Sequence, residues 1–380
     1  MKDSMTDRGG SMKGRKWISA AAIALCTAVT ALQLGWMLTS GNGFAAPQSV
    51  RIGHLDISQY LQDGLADALG GVLSAKKVYR LSDQDLVAPK PDPACYGSAE
   101  DPAQLQWLLD AGAELLEGQE TLFSTDTPIQ EGSAVRYYLD ETIFAVTWKQ
   151  PLGGSMYTFS EVKIAHPSQL RRFLSDGKYG SGTLYTTTEM AQSVNAVVAS
   201  SGDYYDYREI GIVVTDGQVH RSRGELLDTC FVDESGDLVF TYAGQITGQE
   251  EVQAFVNKHH VRFSLCFGPV MILNGDLCSP KQYNSGEVHS EYARSALCQM
   301  GKLHYLVVIA NTEEPCYSMP TLSQFARQLW DLGIPTAYAL DGGQTAAIAM
   351  DGKLVNNVSY GSQRRISDIV YFATAVPERS

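Results

Sequence analysis

The chain has 380 residues, 9% of them aromatic, and a net charge of −13. Three net positive charges fall within the first sixteen residues, so the remainder is more acidic still. That balance excludes binding to nucleic acid or to anionic lipid head groups through bulk charge, and an anionic substrate would have to be met by local cations.

Residues 1–16 read as a basic cytoplasmic tail. The next segment, 17–38, is an uncharged apolar-biased run, and no charged residue stands between Lys16 and Arg51. A run of that length can cross a bilayer as one helix. With its basic flank it predicts a transmembrane signal-anchor, everything C-terminal to it lying outside the cytoplasm. A cleavable signal peptide is the alternative, with Gly43 and Ala45 as the small residues before the cleavage site. The expected location is a single-pass cell-membrane protein with its C-terminal domain extracellular, or a protein secreted after cleavage near Ala45. Of the seven cysteines, Cys26 lies in the apolar run. Cys95, Cys230, Cys266, Cys278, Cys298 and Cys316 form an even set that an exported region permits to pair, in an order left open. No Cys/His set has zinc-site spacing, and neither a metal nor a cofactor is expected.

Residues 39–132 read as a linker and helical juxtamembrane segment without a chemical motif. Ile57, Leu61, Leu65, Leu69 and Leu73 recur at helical period over 56–75. Asp101 and Pro102 open a second helix that Gly118 closes. From 133 to 380 the texture changes to short β-rich runs, at 135–139, 142–148, 156–165, 196–200, 210–215, 237–242, 262–267, 303–310 and 336–340. Helix patterns lie among them. One spans Thr186 to Val194. Thr247 with Glu250 makes a capping box before Val252, and Thr321 with Gln324 makes another before Phe325, stopped by Gly333 and Pro335. The strand at 303–310, that last helix and the strand at 336–340 read as a β-α-β unit. It delivers Asp341 to a strand end, where α/β proteins place ligands. The fold class this predicts is α+β: a mixed β-sheet domain with flanking helices, preceded by an N-terminal transmembrane helix and a short helical segment.

Three stretches carry chemistry-bearing residues. In ALDGGQTAAIAM (339–350) a strand runs into Asp341, Gly342 and Gly343, so backbone N–H groups can approach a ligand beside a carboxylate; alone it also reads as a plain tight turn. In VVASSGDYYDY (197–207) Gly202 and Asp203 end a strand ahead of Tyr204, Tyr205 and Tyr207, a carboxylate beside aromatic faces of the kind that stack on sugar rings. In YARSALCQ (292–299) Arg294 stands in a stretch poor in cations and is the expected phosphate clamp, or else a surface ion-pair partner. His259 and His260, about 100° apart on a helix, are a poor metal pair.

Taken in order, TTTEM (186–190), NAVVASSGDYY (195–205), GIVVTDGQV (211–219), FGP (267–269), ARSALCQ (293–299), CYSMPTLSQFARQLWDLG (316–333) and ALDGGQTAAIAM (339–350) resemble the phosphodiester glycosidase family. The closing GSQRRISDIVYF (361–372) resembles that family's last strand, and the resemblance covers about 135–375, which assigns 133–380 as its domain. Three positions depart from the family pattern. Ser-Gly-Asp (201–203) stands for Asn-Gly-Asp, Arg-Ser (294–295) for Arg-Thr, and Gly-Gly-Gln-Thr-Ala (342–346) for Gly-Gly-Gly-Ser-Ser. The resemblance implies an extracytoplasmic hydrolase that cleaves sugar-1-phosphodiester bonds, N-acetylglucosamine-1-phosphodiester-like, in cell-envelope or exopolysaccharide substrates. The partners implied are a sugar-phosphate or phosphoglycan, and the membrane through the N-terminal helix. Asp203, Asp341, Arg294 and Glu189 are then the catalytic candidates, with Arg294 on phosphate. Gly202, Tyr204, Ser295, Gly342, Gly343 and Thr345 would contact substrate. The alternative is a non-catalytic sugar-phosphate-binding cell-envelope protein, motivated by the altered 342–346 run.

Overall fold

The structure, a computed structural model, describes residues 79–129, 134–279 and 288–377. The apolar run 17–38 and the helix expected over 56–75 lie outside the described residues. Among those residues, no helix is long and apolar enough to cross a membrane. They all fall in one compact unit, Lys77–Ser380.

In chain order the strands begin with β1 (Tyr96–Ala99), β2 (Val135–Leu139), β3 (Ile143–Leu152), β4 (Ser155–Ile164), β5 (Leu170–Leu174) and β6 (Val198–Ser201). They continue with β7 (Gly211–Thr215), β8 (Gln218–Arg223), β9 (Thr229–Asp233), β10 (Leu238–Thr241), β11 (Val261–Leu265), β12 (Val270–Leu273) and β13 (Asp276–Leu277). The last are β14 (Arg294–Gly301), β15 (His304–Asn311), β16 (Thr336–Leu340), β17 (Ile348–Met350), β18 (Lys353–Leu354) and β19 (Asp368–Phe372). The α-helices are α1 (Pro102–Leu116), α2 (Thr187–Ser193), α3 (Gln249–His259) and α4 (Leu322–Asp331). A nine-stranded sheet has the order β1-β2-β3-β4-β15-β14-β16-β12-β13. Two five-stranded sheets have the orders β10-β9-β11-β7-β8 and β18-β17-β6-β19-β5.

The α+β expectation is corrected by this topology: the described residues are mostly β-sheet, with few helices. Sequence reading underweighted strands that lack apolar alternation, such as β5 (LRRFL) and β8 (QVHRSR), while capped amphipathic helices stand out. Segment 79–129, expected as linker and helix, supplies β1 to the edge of the large sheet by pairing with β2. Helix α1 forms where expected. The Asp101 side chain accepts from the Ala103 and Gln104 N–H groups, Pro102 takes the first turn, and Glu117 ends the helix at φ 52°. Its Leu105, Leu108, Leu115 and Leu116 are buried against the sheet, each worth about 1.5–3 kcal/mol. The capping box expected at Thr247 and Glu250 is absent. Gly248 is the N-cap of α3, and the Thr247 N–H donates to Glu251 Oε2 at 2.8 Å.

The expected β-α-β unit exists in a split form. β14 lies between β15 and β16 and is antiparallel to both, so those two run parallel to each other one strand apart. Helix α4, with its Thr321–Gln324 capping box, buries Leu322, Phe325, Ala326 and Leu329 in the same apolar cluster as α1. On the opposite face of the large sheet a second cluster joins Leu297, Tyr338 and Leu340 to Val198 of β6, Leu265 of β11 and Phe372 of β19. That cluster brings the ends of β6, β11 and β16 together.

Candidate functional site

Asp341 follows the last residue of β16, and its N–H donates to the Gly202 carbonyl oxygen at 3.3 Å. One hydrogen bond thus joins the large sheet to the end of β6. Beyond it the chain turns sharply over Gly343–Thr345. Gly342 permits this, because a Cβ there would stand 2.4 Å from the Ala293 carbonyl oxygen. The Gly343 N–H donates to that same oxygen at 2.7 Å, and Thr345 Oγ1 donates to the Gly342 oxygen at 2.5 Å. Asp341 is 8% exposed, and its Oδ2 has no hydrogen-bond partner among the described residues. Burial pushes its carboxyl up to about 6, the Asp203 charge adding to the rise and Thr345, Arg208 and Arg364 opposing it.

The end of β6 is held more tightly. The Gly202 N–H donates to the Asp368 carbonyl at 3.1 Å, and a Cβ on Gly202 would lie 2.2 Å from Asp368 Oδ2. Both carboxylate oxygens of Asp203 are engaged. Oδ1 accepts from the Tyr205 N–H at 2.8 Å, and Oδ2 accepts from the Cys266 N–H at 2.8 Å. Arg172 Nη2 stands 3.0 Å from that Oδ2 as an ion pair; it is off hydrogen-bond alignment.

After Asp203 the chain builds a layer of aromatic rings and guanidinium groups. Tyr204 and Tyr207 stack with centroids 4.4 Å apart. The Arg208 guanidinium lies 5.1 Å from the Tyr204 ring centre and 4.9 Å from that of Phe267. Arg364, on the loop before β19, lies 5.5 Å from Tyr204 and 5.1 Å from Tyr207, and donates to the Tyr204 hydroxyl at 3.3 Å. The Arg364 loop is tied to the 343–345 turn, where Gln344 Nε2 donates to the Ser362 carbonyl at 3.1 Å. Arg208 Nη1 is buried without a hydrogen-bond partner among the described residues. A carboxylate with one unengaged oxygen, facing two guanidinium groups within an aromatic frame, can hold an anionic ester and polarise a nucleophile beside it.

Residues 194–373 match the model of the phosphodiester glycosidase family. They form a phosphodiester glycosidase domain. Among solved structures, the catalytic domain of zebrafish N-acetylglucosamine-1-phosphodiester α-N-acetylglucosaminidase, auto-inhibited by its pro-peptide, aligns with TM-score 0.50 and 16% identity, over 77% of this chain and 99% of that one. A hypothetical protein from Synechocystis aligns with TM-score 0.45 and 15% identity, over 65% of this chain and 64% of the other. The zebrafish likeness shows the fold. No curated protein matches the chain.

Of the residues that the sequence nominates, the phosphodiester glycosidase domain brings Asp341, Gly342, Gly343, Thr345, Gly202, Asp203 and Tyr204 together. Ser295 stands opposite Leu340 in the β14–β16 ladder, with its hydroxyl buried and without a hydrogen-bond partner among the described residues. Arg294 begins β14, with its Cα against Gly342. Its Nε donates to the Pro320 carbonyl at 3.3 Å and its Nη2 to the Ser290 carbonyl at 2.5 Å, beside the Tyr292 ring. The guanidinium groups acting on Asp341 are those of Arg208 and Arg364. Glu189 closes the capping box of α2: its Oε2 accepts from the Thr186 N–H at 2.7 Å and its Oε1 meets Arg365 at 3.2 Å. Sequence reasoning missed Arg208, Arg364, Phe267, Arg172 and Asp368. For Arg208 the signal lay in its place directly after the Tyr204–Tyr207 run. Arg172 and Asp368 left a subtler one, a charged residue inside a strand.

Of the six cysteines that the sequence permits to pair, Cys230, Cys266, Cys278, Cys298 and Cys316 are thiols among the described residues. Burial pushes the Cys266 thiol far up, the nearby Asp203 charge adding to it, which rules against a thiolate nucleophile beside the site. Among the described residues no group of three His, Cys, Asp or Glu is placed to hold a metal ion.

Proposed function

We propose that the chain hydrolyses a sugar-1-phosphodiester of the N-acetylglucosamine-1-phosphodiester kind, outside the cytoplasm, releasing the sugar and a phosphomonoester. The observation that carries this reading is Asp341: buried, with an unengaged oxygen, and opposed by the Arg208 and Arg364 charges. The family match and the name of the zebrafish structural relative support the same bond class. The N-terminal basic stretch and uncharged run, with the acidic remainder, support the location.

In this mechanism the two guanidinium groups bind the phosphodiester oxygens and steady the charge that develops on the leaving phosphate. Ionised Asp341 accepts a proton from water as the water oxygen bonds to the anomeric carbon. The bond from that carbon to the phosphate oxygen breaks, and its electron pair leaves on the phosphomonoester. A phosphomonoester is a good leaving group, so a strong general acid is not required. Tyr204 and Tyr207 border the place a sugar ring would take. Asp203, with both oxygens engaged, orients its surroundings. The test is release of free sugar from synthetic α-linked sugar-1-phosphodiesters by the full chain. Release abolished in Asp341→Asn supports the reading. Folded protein that binds the diester without turnover contradicts it and favours the binding-protein alternative.

A further inference from the structure

One charged cluster in the molecule is not used directly by the reaction above. Arg172 from β5, Asp203 after β6 and Asp368 from β19 meet with side chains fully shielded from solvent. Arg172 Nε donates to Asp368 Oδ2 at 2.8 Å, and its Nη1 donates to the Ser264 carbonyl of β11. The Asp203 N–H faces both Asp368 oxygens, at 3.2 and 3.3 Å. Apolar side chains of similar volume would often stabilise such a place as well or better, so stability alone is a weak account of the cluster.

We propose that Arg172 and Asp368 are positioning residues that set Asp341 and Arg208 through Asp203 and Gly202. The inference rests on Asp341 being the reacting carboxylate. Asp203 Oδ1 holds the N–H of Tyr205, which begins the turn that ends at Arg208. Its Oδ2 holds the N–H of Cys266, whose neighbour Phe267 backs the Arg208 guanidinium. Gly202 accepts from the Asp341 N–H through its carbonyl and donates to the Asp368 carbonyl through its own N–H. A shift of the cluster therefore moves the carboxylate and a phosphate-binding cation together. Arg172 and Asp203 are the charged groups facing Asp368, and Cys266 and Tyr205 also face Arg172. Two carboxylates share one guanidinium, and burial pushes Asp368 up to about 8. Raising the pH ionises Asp368 against Asp203 and loosens its hold.

The test measures kcat and KM for sugar release from methyl α-N-acetylglucosamine-1-phosphate between about pH 6 and 9.5, with the full-length wild type, Asp368→Asn and Arg172→Lys. The expected wild-type result is a fall in kcat/KM of about tenfold or more between pH 7 and 9.5, as one group titrates. Asp368→Asn, which cannot ionise, stays flat over that range. Arg172→Lys keeps the charge, loses the forked donor set, and raises KM about tenfold at every pH. A parallel alkaline fall in wild type and Asp368→Asn overturns the proposal. Should melting show Asp368→Asn unfolded, Arg172→Lys decides, and an unchanged KM overturns it. If wild type releases no sugar at any pH, the catalytic reading itself fails and takes this inference with it.

Discussion

Replacing Asp341 with Asn is expected to stabilise the protein while abolishing turnover. Burial raises this carboxyl from its ordinary 3.8 to about 6. A raised folded-state value means that stability is fully present below the unfolded value, near pH 4, and is lost as pH rises through about 6. The ionised form at pH 7.5 therefore carries a penalty of about 3 kcal/mol, from roughly two units at about 1.4 kcal/mol each. Asp341 is only 8% exposed, so solvent screening removes little of that figure. Asn fills the same space without the charge. Thermal melting of the two proteins at pH 4 and pH 7.5 measures the difference. The melting temperatures should be close at pH 4, with the variant higher by roughly 5–10 °C at pH 7.5. A variant less stable than wild type at pH 7.5, or a gap independent of pH, would refute the account of an ionised, desolvated carboxylate.

Other substitutions separate the roles assigned to neighbouring charges. Arg208→Ala and Arg364→Ala should each raise KM for a phosphodiester substrate by about tenfold or more, because each removes a charged donor worth about 1.5–3 kcal/mol; steady-state kinetics would show it, and an unchanged KM in both would remove the clamp. Arg294→Ala should lower the melting temperature, since the Pro320 and Ser290 carbonyls lose their donor, while kcat/KM stays within about twofold. A large loss of kcat/KM in a folded Arg294→Ala would return that residue to the site. In wild type, kcat/KM should rise with pH through about 6 as Asp341 ionises to act as base, and a rate that falls over that range would assign it to the acid role instead.

Individual elements of the fold, and some members of the candidate site, are legible from local pattern. Helices α1 and α4 announce themselves through Asp101–Pro102 and Thr321–Gln324, because capping is written in side chains a few residues apart. Strands β2 and β16 have the bounds read from their apolar runs. The fold class was misjudged because strands such as β8 are held by ladder partners that composition does not reveal. Asp341 and Gly202 are candidates that pattern nominates because each follows an apolar strand. Sequence gives proximity along the chain, which favours Arg294 as the phosphate cation, whereas Arg364 reaches Tyr204 across a separation of 160 residues. Glu189 looked chemical beside its threonines, yet its partner is the backbone N–H of Thr186, three residues away. The dual engagement of Asp203 depends on Cys266, 63 residues downstream.

The most direct measurement is the release of reducing sugar from an α-N-acetylglucosamine-1-phosphodiester by wild type, Asp341→Asn and Asp203→Asn, each checked for folding by thermal melting. The account predicts release by wild type and none from a folded, more stable Asp341→Asn. It predicts that Asp203→Asn, which disturbs the buried Arg172 cluster, loses both stability and activity. Release from Asp341→Asn at the wild-type rate would contradict the central claim.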